Sequence, residues 1–202
     1  STQGFVTHTE TGYTVVTKTE GEYMVDYLAL SGTIQTVAQV NGIDFSNLQS
    51  AINSITDEEQ TIKLTNGIIT ISKFTIEEGQ NIILDMNGKT ISSDLDITIE
   101  NKGNLKIIDS SGMNVAKISS TTGIAIKNSG TLTLGENDGT VSQDILTIEG
   151  GTYGIETSGT LNFYDGTING ASAVQGTVTA RADGYLIRTT TVNGKERYYL
   201  SK

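Results

Sequence analysis

A ten-residue pattern that occurs three times constrains this chain more than any other feature. Each copy combines a short alternating strand, a tight turn that ends in Gly, and a second alternating strand; the copies span residues 98–107, 125–134 and 154–163. The turn glycines Gly103, Gly130 and Gly159 are separated by 130 − 103 = 27 and 159 − 130 = 29 residues. Short strands that recur at a nearly fixed period predict a coil in which each turn stacks on the previous one.

The strands of the middle region sort into three recurring sets, which predicts an all-β coil with three strands per turn. Within each strand apolar side chains alternate with Thr, Lys, Asn or Glu, so one face points inward and the other faces water. Each strand is expected to pair in parallel with its counterpart one turn away. Leu105, Leu132 and Leu161 hold equivalent positions and are predicted to form one stack in the core.

The turns of the repeat carry a second regularity. Asn101, Asn128 and Thr157 occupy the same place in successive copies, two residues before the turn glycines. Stacked Asn and Thr side chains can hydrogen-bond to neighbouring turns, so we predict a polar ladder along this corner. The glycines are expected to supply the positive φ of a sharp corner. A line of calcium ligands is the functional alternative, because Asn and Asp oxygens suit that ion.

One amphipathic helix is predicted ahead of the coil, at residues 45–55. Phe45, Leu48, Ala51, Ile52 and Ile55 fall on one face of this helix, and Asp44 or Ser46 is placed to cap its start. The open end of a coil exposes unpaired backbone groups and core side chains. We therefore interpret the helix as a lid over that end.

The two ends of the chain resemble each other. Residues 12–19 align without gaps with residues 184–191 at an offset of 172, and both segments are predicted to be β-hairpins, the second turning at Asn193-Gly194. We therefore predict three parts: residues 1–36 as the hairpin that ends a preceding repeat unit, 37–180 as the β-helix, and 181–202 as its own C-terminal hairpin. The chain is interpreted as a piece of a tandem array, without a signal or anchor segment.

Charge and composition exclude several classes of function. The 13 Lys and Arg against 23 Asp and Glu give a net charge of −10, which repels phosphate backbones and anionic lipid surfaces. No run of residues approaches the roughly 18 apolar positions of a membrane helix. There is no Cys, and His8 is the only His, so disulfides, thiolate chemistry and a His-based zinc site are excluded. We expect no nucleic-acid partner, no membrane insertion, no cofactor and a monomeric chain.

Several segments resemble the right-handed parallel β-helix modules, pectate-lyase-like in fold, of large cell-surface and adhesin-like proteins from Gram-positive bacteria. The segments that carry the resemblance are Val40-Asn-Gly-Ile-Asp-Phe45, the helix at 46–55, Leu84-Asp-Met-Asn-Gly-Lys89, and the repeats at 103–112 and 130–134. The resemblance implies a helical cap, secretion and attachment to the bacterial cell surface in an array. Its motifs describe a fold and imply no catalytic residue.

The alternative to a structural role is action on a polysaccharide, because lyases and hydrolases also use this kind of coil. Asp85, Asp109 and Asp165 end or follow equivalent strands and are candidates for one acidic ridge. However, Asp109-Ser-Ser-Gly112 and Asp165-Gly166 are turn sequences, in which Asp commonly bonds to backbone N–H groups. We therefore predict no catalytic and no metal-binding residue, and we favour a structural reading of these acids.

Tyr153, Tyr164 and Asp165 are the candidates for binding at the surface, since exposed aromatic rings and a carboxylate suit a glycan. The sequence thus predicts a non-enzymatic structural or adhesive β-helix module of a tandem-repeat bacterial surface protein. Its expected partners are neighbouring modules of the same polypeptide, with a glycan or a host or cell-surface protein as a further candidate. A polysaccharide-binding or polysaccharide-degrading β-helix is the alternative. The feature that separates them is a groove beside the second half of the coil that gathers carboxylates or tyrosines.

Overall fold

The repeated pattern folds into three parallel sheets that wind around one apolar core. The computed structural model describes residues 13–20, 23–30, 35–56 and 58–202. The chain divides into two units, Ser1–Gln35 and Thr36–Lys202. In the first unit β1 (Tyr13–Glu20) and β2 (Tyr23–Leu30) form an antiparallel hairpin in which Tyr13 lies opposite Leu30.

The second unit is the coil, and each of its layers contributes one strand to each sheet. Sheet A contains β3 (Ala38–Val40), β4 (Ile43–Phe45), β5 (Gln60–Leu64), β8 (Asn81–Asp85), β11 (Asn104–Ile108), β14 (Thr131–Leu134), β17 (Thr160–Phe163) and β20 (Ala180–Arg181). Sheet B contains β6 (Ile68–Thr70), β9 (Thr90–Ser93), β12 (Ala116–Ser120), β15 (Leu146–Glu149), β18 (Thr167–Gly170), β21 (Leu186–Val192) and β22 (Lys195–Ser201). Sheet C contains β7 (Phe74–Ile76), β10 (Ile97–Asn101), β13 (Ile124–Asn128), β16 (Tyr153–Thr157) and β19 (Ser172–Gln175).

Equivalent apolar side chains lie over one another inside the coil. In sheet A, Leu105 pairs with Leu132 and Leu132 with Leu161, and all three are almost completely buried. Sheet B stacks one isoleucine per layer, at positions 68, 91, 118, 148 and 168. The predicted all-β parallel β-helix with three strands per turn is confirmed. Because no layer buries its apolar face alone, stability depends on contact with the adjacent layers.

The helix α1 (Leu48–Asn53) is shorter than predicted and covers the N-terminal end of the core. Its cap is Asn47, whose side chain accepts the Ser50 N–H at 3.1 Å, so the expectation of Asp44 or Ser46 as cap was wrong. The reason is local: Asp44 belongs to β4, which pairs with β3 in an antiparallel hairpin, and the helix begins only after that strand ends. Leu48 and Ile52 line the same small apolar void as the core of the first layers.

Two glutamine side chains fix the helix on the coil. The Gln49 amide donates to the Thr75 carbonyl at 2.9 Å, and its oxygen accepts the Thr75 N–H at 2.8 Å. Gln49 therefore satisfies the backbone of β7, the edge strand of sheet C, much as a further strand would. Gln80 donates to the carbonyl oxygens of Ile52 and Ile55 at 2.9 and 2.8 Å, which ties down the end of the helix.

The C-terminal hairpin extends sheet B. Strand β22 pairs antiparallel with β18, placing Tyr198 opposite Ile168, and β21 pairs with β22. The hairpin turns at Asn193 and Gly194, both with positive φ, the geometry that suits a two-residue hairpin loop. Glu196 of the same hairpin also reaches sheet C. Its carboxylate accepts the backbone N–H of Ala173 at 2.7 Å and so covers β19, the edge strand of sheet C opposite β7.

Candidate functional site

The polar corner of the repeat is a buried ladder. Asn101, Asn128 and Thr157 stack in register on sheet C and are nearly inaccessible to water. The Asn101 amide donates to Asn128 Oδ1 at 2.8 Å and to the Thr131 carbonyl at 2.9 Å. Asn128 repeats the arrangement, donating to Thr157 Oγ1 and the Thr160 carbonyl, both at 2.9 Å. These amides join successive layers and have no open face for a ligand such as calcium.

The glycines beside the ladder are required for close packing, and the expectation of positive φ was wrong for them. Gly103, Gly130 and Gly159 are not among the residues with positive φ. A Cβ on Gly130 would lie 2.1 Å from the Gly103 carbonyl oxygen, and one on Gly159 would lie 2.1 Å from that of Gly130. Successive turns therefore touch through their backbones, and any side chain would push the layers apart.

Two of the three carboxylates of the acidic ridge expected from the sequence are hydrogen-bonded to turns. Asp85 and Asp109 are buried. Asp85 Oδ1 accepts the N–H groups of Asn87 and Ser110 at 2.9 and 3.0 Å, and Asp109 Oδ1 accepts the Gly88 N–H in the layer before. Each carboxylate thus holds its own turn or a neighbouring turn in place, and neither presents a free oxygen pair to solvent.

A cavity of about 250 Å³ lies at the same corner in the second half of the coil. Four acidic residues line it: Asp109, Glu136, Asp138 and Asp165. Asp165 stands at its wall, with Oδ1 accepting the Ser142 N–H at 2.7 Å and Oδ2 accepting the Glu136 N–H at 3.2 Å. A cavity that gathers carboxylates therefore lies beside the second half of the coil.

Electrostatics set Asp165 apart from the other acids of this cavity. Burial raises the pKa of the Asp165 carboxyl, the two backbone N–H groups oppose that shift, and the charges of Asp138 and Glu136 add to it. In contrast, hydrogen bonds from the Thr140 side chain and backbone lower the pKa of Asp138. Glu136 forms an ion pair with Lys106 at 2.7 Å. The pKa of the Asp165 carboxyl is therefore shifted up and that of the Asp138 carboxyl down within one cavity.

The two tyrosine candidates do not join this cavity. Tyr153 lies on β16 of sheet C, whereas Tyr164 follows β17 of sheet A and packs against the apolar core. Neither residue lines the cavity that contains Asp165. The structure thus places Tyr153 on a different sheet from the adjacent residues Tyr164 and Asp165, so Tyr153 and Tyr164 do not form a stacked aromatic platform.

Sequence reasoning missed an apolar surface at the opposite end of the coil. Ile69 and Ile71 are 88% and 92% exposed, beside a cavity of about 420 Å³ that runs between residues 67–74 and the start of α1. The signal was present, because Ile68, Ile69 and Ile71 put apolar side chains on both faces of one strand. In the layers that follow, the positions equivalent to Ile69 are Ser92, Ser119 and Glu149.

In the part of the chain that the structure describes, no group of three or more His, Cys, Asp or Glu residues is arranged to hold a metal ion. No helix there is long and apolar enough to cross a membrane. No protein-family model matches the chain, and neither the curated proteins nor the solved structures contain a match.

Proposed function

We propose that this chain is a non-enzymatic structural module, a stiff β-helical spacer of a repetitive bacterial surface protein that separates or presents binding surfaces. The observation that carries the proposal is the buried ladder of Asn101, Asn128 and Thr157, in which side chains join layer to layer at 2.8–2.9 Å. These polar groups stabilise the coil instead of facing a ligand. Polar side chains that join the layers in this way fit a mechanical role, in which the coil keeps its shape and resists unfolding.

Ion pairs on the outer faces support the same role. Lys73 reaches Glu100 at 2.6 Å, Lys106 reaches Glu136 at 2.7 Å, and Lys127 reaches Glu156 at 3.0 Å, each pair linking two layers. An exposed pair contributes only about 0–1 kcal/mol, but pairs repeated along a coil oppose its opening at every layer. The net charge of −10 also limits self-association through the sides.

The two hairpins support membership of a repeating array. Residues Thr14 and Ala29 face each other in the first hairpin, and Leu186 and Ser201 face each other in the second. The sums 14 + 172 = 186 and 29 + 172 = 201 show that both hairpins share one register at the sequence offset. Two copies of one terminal element in a single chain are what an array of units with a period near 172 residues would contain.

Single-molecule pulling tests the mechanical role. Because the chain has no Cys, the substitutions Thr36→Cys and Lys202→Cys give unique attachment points at the ends of the coil. Residues 36–202 number 202 − 35 = 167 and span roughly 550–600 Å when fully extended, so complete unfolding should release this length less the distance between the two ends of the folded coil. We expect force peaks, and each layer of 27 residues that opens should lengthen the chain by about 90–100 Å. Extension without a resolvable force peak would reject a mechanical role.

The acidic cavity favours a second candidate, binding or cleavage of a polysaccharide. Reducing-sugar release and glycan-array binding by the full chain test it, with Asp165→Asn as the variant and Asp94→Asn, an exposed acid outside the cavity, as the matched control. Product formation or glycan binding that is lost only in Asp165→Asn would establish this candidate. Equal signals from all three proteins, or none, would leave Asp165 in its turn-holding role.

A further inference from the structure

Sheet B ends in an edge strand at each end of the coil. The N-terminal edge of sheet A is covered by the β3–β4 hairpin, and the edges of sheet C are covered by the side chains of Gln49 and Glu196. Within the described residues, sheet B ends at β6 on one side and at β21 on the other, each paired with a single neighbour. Uncovered edges are a ready template for pairing with another strand.

Exposed apolar residues concentrate on these same two edges. Among the described residues seven large apolar side chains are strongly exposed: Ile43, Ile69, Ile71, Met113, Val115, Leu186 and Val192. Four of the seven lie on or directly after the edge strands, Ile69 and Ile71 at β6, and Leu186 and Val192 on β21. An apolar cluster of this kind on an acidic molecule marks an interaction surface.

Charge is also complementary between the two edges. The surface around Ile69 and Ile71 includes the exposed acids Asp94 and Asp96. Its one lysine, Lys73, is already paired with Glu100 at 2.6 Å. Strand β21 carries a single charged residue, the exposed Arg188, between the exposed Leu186 and Thr190. A strand with one cation and apolar ends therefore matches an apolar edge flanked by carboxylates.

We propose that the β6 edge and the cavity beside it bind the β21 strand of a second copy of this chain, so that sheet B continues from one molecule into the next. The inference rests on the proposed function as a module of an end-to-end assembly. The contact is heterologous, joining the end of one coil to the start of another, and it generates a filament-like series instead of a closed pair. Strand addition supplies backbone hydrogen bonds, and Ile69, Ile71, Leu186 and Val192 supply apolar contact.

Directed disulfide exchange tests the contact, because the chain contains no Cys of its own. A full chain with Thr190→Cys is activated as a mixed disulfide with thionitrobenzoate and mixed with a full chain carrying Ile69→Cys. The thiolate at position 69 attacks the sulfur at position 190, a new interchain disulfide forms, and thionitrobenzoate leaves and is followed by its absorbance. The matched control thiol is Met113→Cys, at an apolar site 59% exposed and away from either edge.

We expect the Ile69→Cys chain to react at least roughly tenfold faster than the Met113→Cys chain, after each rate is divided by the rate of that thiol with activated glutathione. Adding Arg188→Glu to the activated chain should remove most of that advantage, because it places a carboxylate opposite Asp94 and Asp96. Equal normalised rates would overturn the inference. The inference would also be overturned if the Ile69→Cys chain reacted with the same advantage toward a chain that keeps Thr190 and carries its activated thiol at another position. If pulling gives force peaks but the two thiols exchange at equal rates, the junction is rejected and the mechanical role stands.

Discussion

The side-chain amide of Asn101 donates to Oδ1 of Asn128 at 2.8 Å, across two layers whose residues are 27 positions apart in the chain. Both side chains are buried, and Asn128 then donates to Thr157 in the following layer at 2.9 Å. The ladder begins abruptly, because Asn101 lies over Ile76 and its Oδ1 has no hydrogen-bond partner. Asn128 is therefore the one member with bonded neighbours on both sides.

Asn128→Leu should destabilise the coil by about 2–3 kcal/mol, because it removes bonds on both sides and leaves buried polar groups unsatisfied. Asn162→Leu is the matched control: the same change on the outward face of sheet A, where the only side-chain bond is a 3.2 Å contact with Thr133, should cost about 0.5 kcal/mol. Urea unfolding of both variants measures the difference. Equal losses would show that the ladder does not contribute specifically.

Leu132→Ala should lower the free energy of unfolding by about 2–5 kcal/mol through lost burial and a cavity between Leu105 and Leu161. Leu132 is fully buried and pairs with both leucines. The neighbouring Thr133 points to the other face of the strand, so Thr133→Ala should change stability by roughly 0.5 kcal/mol or less. Denaturant midpoints with unchanged slopes report these values, and a small effect at Leu132 would mean that the stack relaxes to fill the gap.

Gly130→Ala should destabilise the chain by about 2–3 kcal/mol, since its Cβ would overlap the Gly103 carbonyl oxygen and the layers must separate. Gly67→Ala is the control, because a Cβ there meets only Thr90, at 3.4 Å from Oγ1 and 3.6 Å from the carbonyl oxygen, and needs no unusual φ. That variant should be neutral or slightly stabilised. A neutral result at Gly130 would mean that the turn column is loosely packed.

The repeat predicted the coil because equivalent residues at a period of 27 to 29 must occupy equivalent positions in a stack. The column of Leu105, Leu132 and Leu161 and the strand sets follow from alternation alone. The role of Gly130 did not follow, since a Gly in a turn is equally compatible with positive φ and with close backbone approach. The sequence placed Asp109 and Asp165 on one ridge, but the approach of Glu136 and Asp138 to them did not follow, because it depends on the path of the loop after β14.

Gln49→Leu should expose the edge of β7 while leaving the helix in place. The variant loses both hydrogen bonds with Thr75 and leaves an unsatisfied N–H and carbonyl at a partly buried edge, at a cost of about 1–3 kcal/mol. Gln39→Leu, which loses one exposed bond to Asp44, is the control. Hydrogen exchange should become faster at the Thr75 amide in the first variant only. Unchanged protection would mean that another group covers this edge.

Asp165 should give the chain a measurable dependence of stability on pH. Burial raises the pKa of this carboxyl above its usual value of 3.8, so the folded chain binds the proton more tightly than the unfolded chain does. The resulting stabilisation is fully present below 3.8 and is lost as the pH rises through the folded pKa. Asp165→Asn does not titrate, so the stability of the natural chain relative to this variant should fall as the pH rises from below 3.8 through the folded-state pKa.

Urea unfolding of both proteins across that range measures the difference, and the other carboxyls largely cancel because both proteins contain them. Asp144→Asn, an exposed substitution with the same change in net charge, is the control and should show a smaller trend. A relative stability that rises with pH would contradict the assignment, because it would mean that the N–H groups of Ser142 and Glu136 outweigh burial. In that case folding would lower the pKa of Asp165, and the argument for it as a proton donor to a bound polysaccharide would fail.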